Sequence, residues 1–456
     1  MKQKMLLSIL ICIVFSILLY IVVIQNYIKY TITNWATNAT GVFDEMYTPK
    51  NIDDLLSIMK KIKPNTPIII SGGKHSWSPS LYTLGTNTKH SSLEPICIST
   101  IELKGIISFE EQNSSITCLS GTSMGELLHF LATHKQTLET YPNTPYITIG
   151  GAIASCSHGA SLAVGTISDL VTDLYYILPG DDKIRHVPNN LLGAYASSLG
   201  QLGIICIITL KTRPITWLKQ TNSVLSTKIF IQNLPTIINE SDLLRILWNY
   251  KTDTCKVLQF NRISNTNNDV VSLYPCKINN QFMVYQSETS MDNINYAPEL
   301  DTQFGLFNLP LIYNNEYGHG QCQKQISNPI NVTLTLEAEF AIPIENLEIA
   351  FEIIKMWIKK YNPSLLGDEF YTRFTGGDIL PWLSNAKGKN NKYVWIIVDL
   401  ELHSPTSANN LQILQTEIWK QAGGRPHLGK WNNLNNNTFI EMYGDDGIKF
   451  LELTEK

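Results

Sequence analysis

The chain has no C-x-x-C and no H-x-x-x-H spacing, no basic run longer than two residues, and little charge of either sign. Charged residues make up 16% of its 456 positions, and the formal net charge is −4. Nucleic-acid binding needs clustered Lys and Arg against phosphate, so nucleic acid is not expected as a partner. The eight cysteines are scattered, Cys12 lying in the apolar N-terminus, and they outline neither a metal site nor a disulfide framework. They read instead as small buried hydrophobes. Of the nine histidines, His129 and His134 stand five apart, which puts them on different faces of a helix. No metal is predicted. Internal repeats are also lacking, and N-N-L-N-N-N at Asn432 to Asn437 is a matter of composition. With 44% hydrophobic residues the chain can bury a large core, enough for two or three domains.

Charge is missing altogether from Met5 to Ile24, an apolar run of about 20 residues, the length that spans a bilayer. Lys2 and Lys4 precede it, and no small-residue cleavage site follows at Gln25-Asn-Tyr27. The expectation is one uncleaved transmembrane helix within residues 1–30. Two lysines before the span against Lys29 beyond it keep the N-terminus cytoplasmic and the rest of the chain lumenal or extracellular. Sequons at Asn38, Asn113, Asn239, Asn331 and Asn436 are compatible with that side. Gln25 to Asp44 reads as a polar tether.

Glycine is sparse but concentrated. Ile68 to Ser80 reads I-I-I-S-G-G-K-H-S-W-S-P-S: a short buried strand, then a turn at Gly72 and Gly73 that side chains would obstruct. Such a turn lets backbone N–H groups converge on an anion. The loop Ser71, Gly72, Gly73, Lys74, His75, Ser76 also projects an imidazole and a hydroxyl. A second stretch, Thr148 to Gly159 (T-I-G-G-A-I-A-S-C-S-H-G), offers Gly150, Gly151, Ser155, His158 and Gly159. Its small residues allow a planar or phosphate group close to the backbone, although His158 reads equally well as a satisfied structural histidine. A third, S-L-G-Q-L-G at Ser198 to Gly203, opens the strand Ile204 to Thr209. Near the end, Gly423-Gly-Arg-Pro-His-Leu-Gly-Lys-Trp431 makes an electropositive loop containing His427 and Lys430.

Between these stretches, Asn51 to Ile62 has the apolar spacing of a short helix, with Ile52, Leu55, Leu56 and Met59 on one face. Strands follow at Pro95–Ile98, Ile106–Phe109 and Ser115–Leu119, then a turn at Gly121 and a helix over Met124 to Thr133. Leu174 to Leu178 and the turn Pro179-Gly-Asp-Asp182 make a hairpin. The first domain closes near Pro214, with boundaries at 31–215 and 216–456. The second half, with strands such as Lys256 to Asn261 and a helix over Ile344 to Tyr361, reads as a separate α+β domain.

The three glycine stretches, in this order, resemble the flavin-binding (PCMH-type) domain of the vanillyl-alcohol oxidase superfamily. The C-terminal loop is similar to the G-R-P-H-W-x-K motif of the aldonolactone oxidase family, and the resemblance runs from about Asn51 to the C-terminus. It implies an α+β fold: a two-subdomain FAD-binding domain, then a substrate or cap domain whose segment 423–431 reaches the flavin. It also implies FAD, bonded covalently through a histidine at the position of His75, with Gly121, Gly203 and Ile204 among the cofactor contacts. Lys430 would face the flavin, and His427 would orient the substrate or assist in removing its hydroxyl proton. Arg373, in Tyr371-Thr-Arg-Phe-Thr375, would take the place of the arginine in the family's V-E-V-R-F-T strand. The implied reaction removes hydride from an alcohol or sugar lactone, and oxygen or an electron carrier takes the electrons. Two departures stand out: Tyr371 replaces the family's glutamate and Leu428 its tryptophan.

Other readings stay open at this point. An apolar pocket around Tyr371 and Leu428 would suit a membrane-anchored reductase or dehydrogenase of a lipid. G-T-S-M-G at Gly121 to Gly125 matches the nucleophile elbow of a serine hydrolase using Ser123, though it reads as well as a helix N-terminus at Thr122 or Ser123. A cofactor-free interaction protein that keeps the scaffold is a third.

Overall fold

A computed structural model of the protein describes residues 30–64, 66–78, 95–142, 144–263, 276–277, 281–282, 295–298 and 335–455. The expected membrane span and the loop residues Pro79 and Ser80 lie outside them. Among the described residues no helix is long and apolar enough to cross a membrane.

Strand alternation decides which way the second half of the chain faces. In Thr335–Pro343 (T-L-E-A-E-F-A-I-P) the residues Leu336, Ala338, Phe340 and Ile342 share one face, and Glu337 and Glu339 share the other. This strand belongs to an eight-stranded antiparallel sheet. Its order is Asn295–Pro298, Trp217–Ser226, Thr254–Ile263, Leu243–Asn249, Glu369–Gly376, Lys392–Glu401, Thr335–Pro343, Arg425–Pro426. The apolar face carries Ile246, Trp248, Phe370, Phe374, Val394 and Ile396, all buried. Helices Thr227–Asn239, Leu347–Tyr361 and Ser407–Ala422 cover it. Leu347, Ala350, Phe351, Ile354 and Trp357 recur at helical spacing and are buried. Trp248 stacks on Phe351 with ring centroids 3.9 Å apart. Burying each such side chain stabilises the domain by about 1.5–3 kcal/mol, so the helices are held to this face and the opposite face is left for polar work.

Among the described residues the first half contains two sheets of three or more strands. Glu45–Tyr47, Ile96–Ser99 and Ile68–Ser71 form a parallel three-stranded sheet, with Ile96–Ser99 in the middle. Ser115–Leu119 lies between Ile106–Glu110 and Ile204–Lys211 in an antiparallel five-stranded sheet, completed by the hairpin Val171–Ile177 and Arg185–His186. Helix Ile52–Met59 starts at Asn51, whose side chain accepts the Asp54 N–H at 2.9 Å, and buries Leu55 and Met59. The arrangement is α+β, as expected.

Buried polar links tie the halves together. Asp378 accepts the Thr166 N–H at 2.7 Å and the hydroxyls of Thr166 and Ser384 at 2.9 and 2.6 Å. Burial pushes its carboxyl up to about 7. Glu139 bridges Arg213 and Arg262, each at 2.6 Å.

Three expectations meet the structure here. The expected tether is a hairpin from Tyr30 onward: Tyr30–Thr33 pairs with Thr40–Phe43, and Ile32, Ala36, Ala39 and Phe43 are buried. Alternation over such short strands is too brief to register as a pattern in the sequence. Asn38, read as a possible glycan acceptor, has its amide nitrogen on the Trp77 carbonyl at 2.8 Å. The second glycine stretch, expected as a loop, forms the helix Ile149–Ala154 capped by Thr148.

Candidate active site

Both N-terminal glycine stretches meet in space. A Cβ on Gly73 would lie 2.6 Å from the Tyr146 carbonyl oxygen, and one on Gly72 would collide with the Thr148 hydroxyl. One on Gly150 would lie 2.9 Å from the Ser120 Cβ. Glycine is required at these positions because the two walls touch through it. Among the described residues the N–H groups of Gly72, Gly73, Lys74 and Ser76 donate to no carbonyl, and Lys74 itself is left-handed at φ 63°. The second wall differs. Ile149, Gly150 and Ala152 donate to the Thr122, Ser120 and Thr148 carbonyls at 2.8–2.9 Å. That stretch therefore contributes close backbone approach, and its first amides are not available to an anion.

These walls bound one cavity. Ser71, Gly72, Gly73, Lys74, His75, Ser76, Gly150, Gly151, Ser155, His158, Gly203, Arg373, His427 and Lys430 all line it. Three sequence-selected residues do not. Gly121 packs against the Thr100 and Leu103 carbonyls, where a Cβ would clash with main chain. Gly159 donates its N–H to Thr140 Oγ1 at 3.0 Å behind the wall. Ile204 points into an apolar cluster with Leu55 and Ile98, and its neighbour Ile205 lines the cavity. The Gly121→Ala variant is expected to lose about 1–3 kcal/mol of unfolding stability through overpacking. Urea titration would show this, and FAD affinity of the folded fraction would stay at the parent value.

The cavity has chemically distinct ends. Along the glycine walls, the Ser71, Ser120 and Ser198 hydroxyls are buried and have no hydrogen-bond partner among the described residues. Orphaned buried hydroxyls in one cavity call for a polar occupant. At the other end the polar face of the large sheet meets the C-terminal motif. Glu339 Oε1 accepts from Arg373 Nη2 at 2.9 Å and His158 Nε2 at 3.1 Å. Burial alone would raise the Glu339 carboxyl, but the Arg373 charge and the hydrogen bond with His158 hold it well below the usual carboxylate range. Burial pushes His158 below its ordinary value, with Glu339 opposing and Arg373 assisting. The ring stacks on Trp395 at 3.7 Å.

His427 is held in one tautomer. Gly429 donates its N–H to His427 Nδ1 at 2.9 Å, so the neutral ring carries its proton on Nε2. Burial pulls the ring down to about 3, with Glu339 opposing. His427 is therefore a neutral hydrogen-bond donor at Nε2 and no base there, which narrows the two roles implied by the sequence to orientation. Lys430 pairs with Glu337 and sits 3.9 Å over the Trp77 ring. Across the sheet Asp399 is in register with Glu337; burial and the Glu337 charge push its carboxyl well above the usual range.

The C-terminal motif joins the first loop directly. Gly429 O accepts from Trp77 N at 2.9 Å and from the Ser76 hydroxyl at 3.0 Å. The N-terminal hairpin closes the same corner, with Asn34 on Ser76 O at 2.7 Å and Trp35 edge-on to Trp77 at 4.7 Å. Trp35, Ser120, Ser198 and Glu339 are lining residues that the sequence reading passed over. Glu339 left one signal: two glutamates, Glu337 and Glu339, on the same face of an otherwise apolar strand.

Two residues weighed in the sequence stand elsewhere. Leu428 turns into a core cluster with Met442, Tyr443 and Phe450, away from the cavity. Ser123 caps the helix Met124–Thr133 in a capping box with Glu126, which accepts its hydroxyl at 2.8 Å. The ligand atoms of His158, Glu339 and His427 lie within 4.8 Å of one another. The Arg373 guanidinium already occupies the shared carboxylate there, and a dication beside it would face like charge.

Residues 208–456 match the family described as D-arabinono-1,4-lactone oxidase, and residues 44–187 match the FAD binding domain family. L-gulonolactone oxidase of Mus musculus is 23% identical over 441 residues, 93% of this chain and 94% of its own. D-arabinono-1,4-lactone oxidase of Saccharomyces cerevisiae is 21% identical over 361 residues, 75% of this chain and 65% of its own. Among solved structures, a solvent-stable cholesterol oxidase superposes with TM-score 0.66 at 15% identity over 94% of this chain and 98% of that one. The cholesterol oxidase of B. sterolicum gives 0.62 at 13% identity, over 88% and 86%. At such identity the structural likeness establishes the fold alone.

Proposed function

The chain belongs to the D-arabinono-1,4-lactone oxidase family, and on that footing we propose that it is an FAD-dependent oxidoreductase oxidising the carbinol carbon of a sugar 1,4-lactone. The observation that carries this reading is the single cavity in which amide and serine donors at one end lead to an Arg–Glu–His–Lys cluster at the other. The residues present fit FAD. Among the described residues, the amides of Gly72, Gly73, Lys74 and Ser76, which donate to no carbonyl, and the orphan hydroxyls of Ser71, Ser120 and Ser198 suit a pyrophosphate and its sugar. The Gly150 and Gly151 wall admits a flat group. FAD supplies the hydride acceptor when bound.

The chain's own residues then do the remaining work. Lys430, fixed by Glu337 and Trp77, would set a positive charge at the reacting end, offsetting the negative charge that a hydride acceptor there takes on. His427 Nε2–H and the Arg373 guanidinium orient the donor's oxygens. Trp35 and Trp77 wall off water. His75 is our candidate for a covalent flavin link, supported by its place on the cavity wall in the first glycine loop. A lipid donor finds less support, because among the described residues Leu428 turns into the core and neither it nor Tyr371 lines the cavity. Oxygen or an electron carrier serves as acceptor. The run Met5 to Ile24 supports a single-pass anchor with the catalytic part lumenal or extracellular.

The test is anaerobic mixing of the yellow protein with D-arabinono-1,4-lactone, L-gulono-1,4-lactone and alditols, following loss of the visible flavin band. Bleaching by a lactone is expected. Yellow protein that none of them bleaches sinks the reading. In the Lys430→Met variant the limiting rate of bleaching should fall by about 10²–10³-fold, the cost of removing one preorganised charge-stabilising group.

A further inference from the structure

One carboxylate oxygen in the cavity wall is unexplained by the protein itself. Glu339 is 0% exposed; its Oε1 takes both the Arg373 and His158 donors, and its Oε2 has no partner among the described residues. Arg373 is 5% exposed and its Nε–H is likewise unpartnered. Both residues line the cavity. A buried polar group left bare costs about 1–3 kcal/mol, and more when charged. A ligand that meets both atoms recovers that energy.

We propose that Glu339 Oε2 accepts a hydrogen bond from a substrate hydroxyl while Arg373 Nε–H donates to the adjacent substrate oxygen. The pair selects donors that carry a hydroxyl beside an oxygen acceptor, as in a vicinal diol or a hydroxylactone. The inference rests on the oxidase reading above and names the residue that recognises its substrate.

Strand geometry shows how this came about. In the family pattern the carboxylate stands two residues before the arginine on the same strand, the position held here by Tyr371. In this chain the carboxylate arrives from Thr335–Pro343, with Lys392–Glu401 lying between it and Arg373. Arg373 pairs with Trp395, and Glu339 with Ile397 two residues further along that middle strand. Glu339 therefore lies one side-chain row from Arg373, within reach of its guanidinium. A neutral polyhydroxy donor is favoured over an anionic one, since the free oxygen at this spot is itself negative.

The flavin's own edge, a carbonyl beside an N–H, carries the same donor–acceptor pattern, so the experiment separates the two. Glu339→Gln keeps the shape and can still accept from Arg373, while presenting an amide N–H to the cavity in place of the acceptor. In anaerobic mixing with D-arabinono-1,4-lactone, the substrate Kd should rise by about 10- to 150-fold, the worth of a charge-assisted hydrogen bond. FAD content should stay at the parent value. Adding Tyr371→Glu to the Glu339→Gln variant should recover part of the lost affinity by returning a carboxylate to the family position. An unchanged Kd overturns the proposal, and so does a loss of FAD affinity with lactone binding intact. If Glu339→Gln does not fold, Glu339→Asp withdraws the oxygens by one methylene and carries the same comparison. Wild-type yellow protein that no lactone or alditol bleaches removes the oxidase reading and this inference together, a result distinct from failure of the variant alone.

Discussion

Acid-precipitated protein is expected to stay yellow, and the His75→Ala variant to release all of that colour into the supernatant. The expectation starts from the loop itself. Gly73 presses the chain against the Tyr146 carbonyl with no room for a side chain. His75, two residues on, lies nearly parallel to the Tyr146 ring, with centroids 6.5 Å apart and planes 15° apart. Trp35 closes the other side at 5.9 Å. The imidazole is thus caged on the cavity wall, and positioning of this kind is what a bond-forming reaction requires. A covalent link predicts an all-or-none change on removing the ring. Wild-type colour that washes into the supernatant would retire the link and keep bound FAD. Protein that remains colourless after incubation with FAD would retire the cofactor.

The second large effect is expected at Arg373. Arg373→Ala leaves Glu339 as a buried charge whose remaining partner is His158, and breaking a buried pair from one side costs about 3–5 kcal/mol. The sign of the pH dependence follows. In the parent, Arg373 and His158 hold the Glu339 carboxyl well below the usual range. Its contribution is therefore full above the unfolded carboxylate value, about 4.3, and is lost only as pH falls through the lower folded value. In the variant, burial dominates and lifts the folded value above the unfolded one. Stability then improves as pH falls, because the folded state binds the extra proton. Urea unfolding at pH 8 and pH 5 should show the larger loss at pH 8. Equal losses at both would mean that Arg373 acts by packing alone.

Much of the architecture was legible along the chain. The strands Ile68–Ser71 and Ser115–Leu119 and the helix Met124–Thr133 follow from local patterning, because period-2 and period-3.6 apolar spacing is written residue by residue. Glycine pairs at Gly72-Gly73 and Gly150-Gly151 marked the cavity walls, since a missing side chain is visible in sequence even where its reason is not. The motif around His427 and Lys430 was equally plain. The secondary structure of Thr148–Gly159 was not, because a small-residue run serves a helix or a loop equally well and its neighbours decide.

Other features came only with the tertiary structure. Leu428 looked like a substrate-side change, yet its direction depends on the turn at Gly429, whose N–H ties back to His427. Trp35 lay in a polar segment, and only pairing of Tyr30–Thr33 with Thr40–Phe43 carries it to His75 and Trp77. Glu339 and Arg373 are 34 residues apart, on strands separated by a third. The local patterns determined which elements form and where the chain could approach a ligand closely. Which charges face one another was decided by strand order in the large sheet, because that order rests on pairing and burial between segments far apart in sequence.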